Sequence, residues 1–336
     1  MNQMVKKFIF AFVVSLLAFA VSLSVIAFAL GVGRDDGYVS PIGPQKKLEG
    51  ESFNVLLIMT DFMPRSFNNY SAEQVKNVFG TEYSEGASSN KMLGYRKIYA
   101  EDMALLRFDA ERGELTFTHV PGNTYVSVKG VGTRLEDVAY EYGTEMLVEK
   151  VHALLGVEID FYAVFTPETA ANALSLVGDV IYTVEKDMVH KDDERGLDIH
   201  IVGGSQPFDG NKAVDLMRFD NYSGFSGTRS SVLCGYLKRF VNKLAADFTY
   251  DQIRDIIIAS LSQKYVATNI ELNALGEDNG AVKLIKSSDK LTATELSVVG
   301  HEQQVNGVRY FTIDESATLK RFAEYRKINT PQNIWD

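Results

Sequence analysis

Cysteine is almost absent from this chain: Cys234 stands alone among 336 residues, so no intrachain disulfide can form. Its neighbours Val232, Leu233, Tyr236 and Leu237 mark it as a small buried hydrophobe rather than a reactive thiol. Positive charge is scarce as well, with 34 Lys and Arg against 44 Asp and Glu and a net charge of −10. Lys6, Lys7 and Arg34 all precede the first acid, Asp35, so the remainder is more acidic still. Such a surface repels phosphate backbones, which argues against nucleic acid as a partner and against a broad basic patch for anionic lipid. Any bound anion must be held by a few local arginines. Also missing are internal repeats, heptads and low-complexity tracts. With 46% hydrophobic residues, the chain can bury a full core, as one large domain or two small ones.

Charge is missing altogether from residues 8–31. An apolar run of about two dozen residues is long enough to cross a bilayer as one helix. Lys6 and Lys7 before it, and Arg34, Asp35 and Asp36 after it, favour a cytoplasmic N-terminus and an exported remainder at the plasma membrane. A cleaved signal peptide is the competing reading; the run is longer than a typical signal core and ends without a small-x-small cleavage site. The expected organisation is a cytoplasmic tail at 1–7, a transmembrane signal anchor at 8–31, a polar stalk at 32–51, an extracytoplasmic domain at 52–326 and a tail at 327–336.

Phe53 to Thr60 reads as a buried first strand. Residues 64–95, rich in Asn, Ser, Gly and Tyr, read as a long excursion with a short helix near Glu73–Phe79, and loops of that length are usually functional or mobile. Helical spacing of Met146, Leu147, Val151, Leu154 and Leu155 ends at Gly156. Phe161–Phe165 and Val180–Val184, flanking a helix near Glu168–Leu176, read as a β-α-β unit. Asp209 can cap a helix through Met217 that stops at Arg218-Phe219-Asp220. After a Gly/Ser-rich loop, Arg229 opens a strongly amphipathic helix, followed by a second helix at Asp251–Ser262. A strand pair near Val282–Ile285 and Val308–Thr312 and a helix from Asp314 close the domain.

The segment Ala100–Val126 carries most of the functional signal. Leu105 and Phe108, then Leu115 and Phe117, mark two strands joined by the polar connection Asp109–Gly113, a hairpin pattern. Antiparallel pairing brings Asp102, at the start of one strand, beside the turn Pro121-Gly122-Asn123-Thr124 after the other. Oxygen-bearing side chains can thus face one site.

Several fragments in order, NVLLIMTD (54–61), EDMALL (101–106), THVPGNTYV (118–126), AYEYG (139–143), LLGVEIDFYAVF (154–165), SLVGDV (175–180) and QPFDGNKAVDLMRF (206–219), precede a long helix opened by Arg229. With the membrane anchor, this arrangement resembles the LytR-CpsA-Psr family over roughly residues 52–326. The resemblance implies an α/β domain with a mixed central sheet flanked by helices, in α-β-α layers. It implies transfer of a glycosyl phosphate from a polyprenyl pyrophosphate-linked glycan to peptidoglycan with magnesium, in wall teichoic acid or capsule attachment. It also implies a cleft beside the helix at 229–244 that takes the polyprenyl chain.

Transferred residue by residue, the family's chemistry is thinned. Arg-x-Asp appears as Ala100-Glu101-Asp102, keeping the metal-binding Asp102. Pro-Arg-Asp appears as Pro121-Gly122-Asn123, which loses a pyrophosphate-binding arginine and turns a second metal ligand into the amide of Asn123. Arg-x-Arg appears as Arg218-Phe219-Asp220, and the pattern opening the long helix keeps Arg229 only. A pyrophosphate needs charge and donors at its oxygens, which arginine supplies as a planar fork. Magnesium prefers anionic oxygen ligands, so one carboxylate and an amide weaken the metal without excluding it. Arg65, Arg96, Arg107 and Arg134 are candidates to replace the missing charge, and His119 reads as structural. Asp61 is either a turn residue or a structural neighbour of the site. The expected function is a membrane-anchored phosphotransferase using Asp102, Arg218 and Arg229; the alternative is a catalytically impaired paralogue that binds lipid-linked glycan or a wall-assembly partner.

Overall fold

A computed structural model describes residue 46 and residues 52–80, 95–193, 195–272, 280–286 and 292–325. The anchor expected at 8–31 and the tail at 327–336 lie outside the described residues, as does the stalk apart from Lys46. Among the described residues no helix is long and apolar enough to cross a membrane.

The apolar runs become strands of one mixed sheet. Strand β1 (Ser52–Met59) pairs antiparallel with β2 (Asp102–Asp109), which turns back into β3 (Glu114–Val120) as the expected hairpin. Gly113 takes φ 68° in its connection, a conformation glycine adopts without the Cβ clash. Two small hairpin strands, β4 (Tyr125–Val128) and β5 (Val131–Arg134), follow. β6 (Phe161–Phe165) then lies parallel to β1. Strands β11 (Ala267–Thr268) and β12 (Thr292–Glu295) complete the order β11-β6-β1-β2-β3-β12.

Helices cover both faces, giving the expected α-β-α layers. On one side lie α1 (Ala72–Phe79), α2 (Leu135–Tyr142) and α3 (Thr144–Leu155), whose Val78, Leu135, Val138, Leu147 and Val151 pack with Leu56, Ile58, Met103 and Leu105 of the sheet. Gly156 ends α3 at φ 63°, as the sequence suggests. Helix α4 (Pro167–Ser175) is opened by a capping box at Thr166. On the other face, α5 (Gly210–Arg218) is capped by Asp209, which accepts from the Lys212 amide at 2.8 Å. It lies with α6 (Arg229–Asp247), α7 (Tyr250–Leu261) and α8 (Gly280–Lys286) near Leu106, Leu115 and Phe117. Cys234 is buried in α6, as expected.

Two expectations fail. The strand β7 (Val180–Val184) does not join β6 in a β-α-β unit; it pairs antiparallel with β10 (Gly204–Phe208) outside the central sheet. Its Ile181 is 60% exposed, whereas a strand inside a parallel sheet is covered on both faces. Residues 282–285 form part of α8 rather than a strand, because Val282 and Ile285 are buried together at helical spacing. The true partner of β14 (Val308–Ile313) is β13 (Gly300–Val305), across Asn306-Gly307 with φ 51° and 81°. That dipeptide is a strong two-residue hairpin signal. Between β7 and β10 sits the hairpin of β8 (Met188–Asp192) and β9 (Leu197–Ile201), and α9 (Glu315–Arg321), capped by Asp314, follows β14.

Candidate functional site

Sheet register gathers the candidate residues at one end. Met59 lies opposite both Asp102 and Phe165, and Met103 opposite Val120, so the ends of β1, β3 and β6 meet the start of β2. The turn after β3 is closed by Thr124, whose hydroxyl donates to the Pro121 carbonyl at 2.6 Å. The start of α2 locks onto it: the Glu136 amide donates to the Gly122 carbonyl at 2.8 Å, and the Ala100 amide to the Glu136 carbonyl at 2.9 Å. Gly122 allows this approach, because a Cβ there would stand 3.0 Å from Glu136 Oε2 and 3.3 Å from the carbonyls of Ala100 and Glu101. Ala100 is fully buried in the core. Where the family pattern has arginines, this chain therefore has tight backbone packing.

The surviving arginines are held by acids. Arg218, at the end of α5 and 6% exposed, donates from Nε to Glu101 Oε2 at 2.8 Å and from Nη2 to the Arg195 carbonyl at 3.0 Å. Arg195 Nη1 lies 3.8 Å from the other oxygen of Glu101. Arg229, in the first turn of α6, donates from Nη2 to both Asp102 Oδ1 and the Met217 carbonyl. Asp102 Oδ2 and Arg229 Nε are buried with no hydrogen-bond partner. Nearby, Asp61 accepts from the Tyr99 amide at 2.8 Å and pairs with Arg96 at 3.4 Å.

Burial dominates the ionisation of these groups. It pushes the Asp102 carboxyl upward against the pull of Arg229, and it raises Asp61 to about 6 against the Tyr99 amide. His119, 4.0 Å from Asp102, is driven down to about 3 by burial and by Arg229, so it is neutral at physiological pH. It is a structural imidazole, in line with the sequence reading, and adds no charge. Burial opposes ionisation of Arg195, but Glu101 and Glu136 carry its pKa upward.

Beside this polar end lies an apolar cavity of about 360 Å³ between the sheet and helices α6 and α7. Leu57, Leu106 and Phe117 line it from the sheet, and Leu233, Leu237 and Phe240 from α6. Among the described residues Asp102 is the only charged side chain in that lining. An apolar group suits such a space, with anything polar placed at its Asp102 end.

Asp102, Arg218 and Arg229 thus converge. Asn123 belongs to the same turn, but its Nδ2 donates to both carboxylate oxygens of Glu302 at 3.1 and 3.2 Å, leaving its amide oxygen for any cation. Among the described residues no three His, Cys, Asp or Glu side chains are grouped to hold a metal. Magnesium that takes most ligands from phosphates and water needs only one or two carboxylates, and the unpartnered Asp102 Oδ2 meets that need. Of the arginines considered as replacements, Arg96 serves Asp61, Arg134 serves Glu136 and Asp137, and Arg107 pairs with Asp109 at the far end of β2. Arg65 is exposed. Sequence reasoning missed Glu101 and Arg195. Glu101 adjoins Asp102 and was open to inspection; Arg195, in the β8–β9 turn, carries no local signal.

The chain is thus an α/β domain with an apolar cavity that ends on a buried acid and arginine pair. The LytR_cpsA_psr family model matches residues 97–327, and the chain belongs to that family. In structure, B. subtilis TagV is similar with TM-score 0.59 and 18% identity, over 82% of this chain and 96% of that one. TagT bound to LIIa-WTA is similar with TM-score 0.55 and 15% identity, over 87% and 96%. A structure of the LytR-CPS2A-psr family protein YwtF (TagT) with bound octaprenyl pyrophosphate lipid gives TM-score 0.53 and 15% identity, also over 87% and 96%. At these identities the likeness is one of fold. No curated protein matches the chain by sequence.

Proposed function

We propose that this chain is a membrane-anchored, extracytoplasmic phosphotransferase that moves a glycopolymer phosphate from a polyprenyl pyrophosphate carrier to peptidoglycan. The observation that carries this reading is the apolar cavity whose only charged lining residue, among those described, is Asp102, itself paired to Arg229. Family membership and the likeness to a TagT structure holding octaprenyl pyrophosphate support it. Residues 8–31 would anchor the chain, with 1–7 in the cytoplasm, 32–51 as stalk and 52–326 as the working domain, tail 327–336 following.

In this scheme the polyprenyl tail lies in the cavity and its pyrophosphate at the end of the sheet. Arg229, through its free Nε, and Arg218 hold the phosphate oxygens. Glu101 and the Arg195 carbonyl fix Arg218 in position. An acceptor hydroxyl of peptidoglycan attacks the sugar-linked phosphorus, the bridging P–O bond breaks, and polyprenyl phosphate leaves with the hydroxyl's proton. Asp102 Oδ2 and the Asn123 amide oxygen would hold magnesium, which would supply positive charge to the phosphate oxygens.

One observation favours a second reading, a paralogue that binds lipid-linked glycan without transfer. Arg218 and Arg229 are each already neutralised by an acid, so less positive charge is left for the departing phosphate. The test is full-length chain in detergent with a polyprenyl pyrophosphate-linked glycan, magnesium and peptidoglycan, following binding and polyprenyl phosphate release separately. Release that Asp102→Ala abolishes supports the transferase. Binding without release favours the paralogue, and absence of binding overturns both.

A further inference from the structure

The loop between α5 and α6 carries a polar group that the scheme above leaves unused. Phe219, Tyr222 and Phe225 form a three-ring cluster with centroids 5.3, 5.9 and 5.4 Å apart, and Phe219 is buried in the core. The two ends of the loop are tied together by Arg229, whose guanidinium bonds the Met217 carbonyl just before the loop and also Asp102. Within this fixed segment the Tyr222 hydroxyl is buried without a hydrogen-bond partner. Arg229 Nε, Ser230 Oγ and Asp102 Oδ2 share that condition.

An unsatisfied buried hydroxyl costs stability, and phenylalanine would keep all three rings in contact without the cost. The phenol feels the charges of both Arg229 and Asp102, and burial raises its pKa, so it stays protonated and available as a donor. Tyr222, Arg229 Nε and Ser230, in one stretch of chain, each have a donor without a partner that an oxyanion can accept, while Asp102 Oδ2 is an acceptor in the same condition. With arginine missing at positions 100 and 122, neutral donors can supplement Arg218 and Arg229 in holding a phosphate here.

We infer that Tyr222 is a headgroup-binding residue whose phenol, beside the Nε of Arg229, donates to a phosphoryl oxygen of a polyprenyl-linked pyrophosphate. The inference rests on the lipid-pyrophosphate reading of the site and goes beyond it by naming a ligand contact.

The test compares full-length wild type and Tyr222→Phe by titration calorimetry with geranylgeranyl pyrophosphate, with geranylgeraniol, which has the tail and no phosphate, and with inorganic pyrophosphate, alongside thermal unfolding. Tyr222→Phe is expected to weaken geranylgeranyl pyrophosphate about tenfold, as for loss of one hydrogen bond to a charged group. The alcohol should bind equally to both proteins, and the variant's Tm should be unchanged or higher. If inorganic pyrophosphate binds as tightly as the lipid form, the headgroup site is not specific for a lipid source and the inference fails in that part. Unchanged affinity for geranylgeranyl pyrophosphate overturns the role of Tyr222 alone. So does equal weakening of both prenyl probes with a lower Tm, which marks a structural tyrosine. Failure of wild type to bind either prenyl probe overturns the underlying reading as well.

Discussion

The two faces of the central sheet are both apolar and differently filled. On one face Leu56, Ile58, Leu105, Tyr162 and Val164 are packed by α1, α2 and α3 into a continuous core. On the other, Leu57, Ala104, Leu106 and Phe117 look toward α6 and α7 across a cavity of about 360 Å³. Protein interiors are ordinarily close-packed, so a void of this kind forfeits contacts that larger side chains would make. Alanines at 104, 163, 170 and 173 stand in its lining where leucines would help to close it. The difference is one of packing: one face is filled by the helices above it and the other leaves apolar space open.

The largest effect is expected at the strand ends where both faces stop. Arg218→Ala leaves Glu101 buried without its partner at 2.8 Å, and removing one member of a buried pair costs roughly 3–5 kcal/mol. Urea unfolding should show the loss, and adding Glu101→Gln should restore part of it; a cost below about 1 kcal/mol would mean that this end is held by packing alone. Next comes the contrast between faces. Leu56→Ala on the filled face should cost about 2–5 kcal/mol, and Leu237→Ala beside the cavity less than half as much. Equal costs would show the two faces to be packed alike.

Asp61, just past the end of β1, makes the strand ends sensitive to pH. Its carboxyl is raised from 3.8 to about 6 by burial, so between those values the folded chain binds more protons than the unfolded chain. Stability therefore falls as pH rises through that window, by on the order of 2–3 kcal/mol from this group, and is flat above it. Asp102 is shifted in the same direction and adds to the slope. Unfolding midpoints at pH 4.5 and 7.5 should differ less in Asp61→Asn than in wild type. Identical differences would remove Asp61 from the account.

Much of this arrangement is legible in the sequence because its signals are local. The first three central strands, the Asp209 cap of α5, the start of α6 at Arg229, the Gly156 stop and the hairpin that presents Asp102 all follow from patterns within a few residues. The failures are tertiary. Val180–Val184 reads as a strand correctly, yet its partner is chosen by exposure of Ile181 to solvent, which no local pattern fixes. Val282–Ile285 is too short an apolar run to separate helix from strand. At the site, sequence supplies Asp102, Arg218 and Arg229 but not their pairing. That Glu101 would take Arg218 across 117 positions, with Arg195 at its other oxygen, depends on the meeting of α5, β2 and the β8–β9 turn.

The smallest expected change in stability is the most informative about the open face. Ala104 lies in the middle of the sheet's cavity side, paired with Leu57 and His119 and lining the void. Added methyl groups in a packed core usually cost 1–3 kcal/mol, but here they enter empty apolar space, so Ala104→Leu should alter stability by less than about 1 kcal/mol, in either direction. The same side chain occupies volume that a prenyl tail would use. Geranylgeraniol affinity should therefore drop at least tenfold while Tm holds, a change of about 1.4 kcal/mol in binding alone. A drop in Tm with affinity intact would mean that the space at Ala104 is closed in solution and that the two faces differ less than their packing indicates.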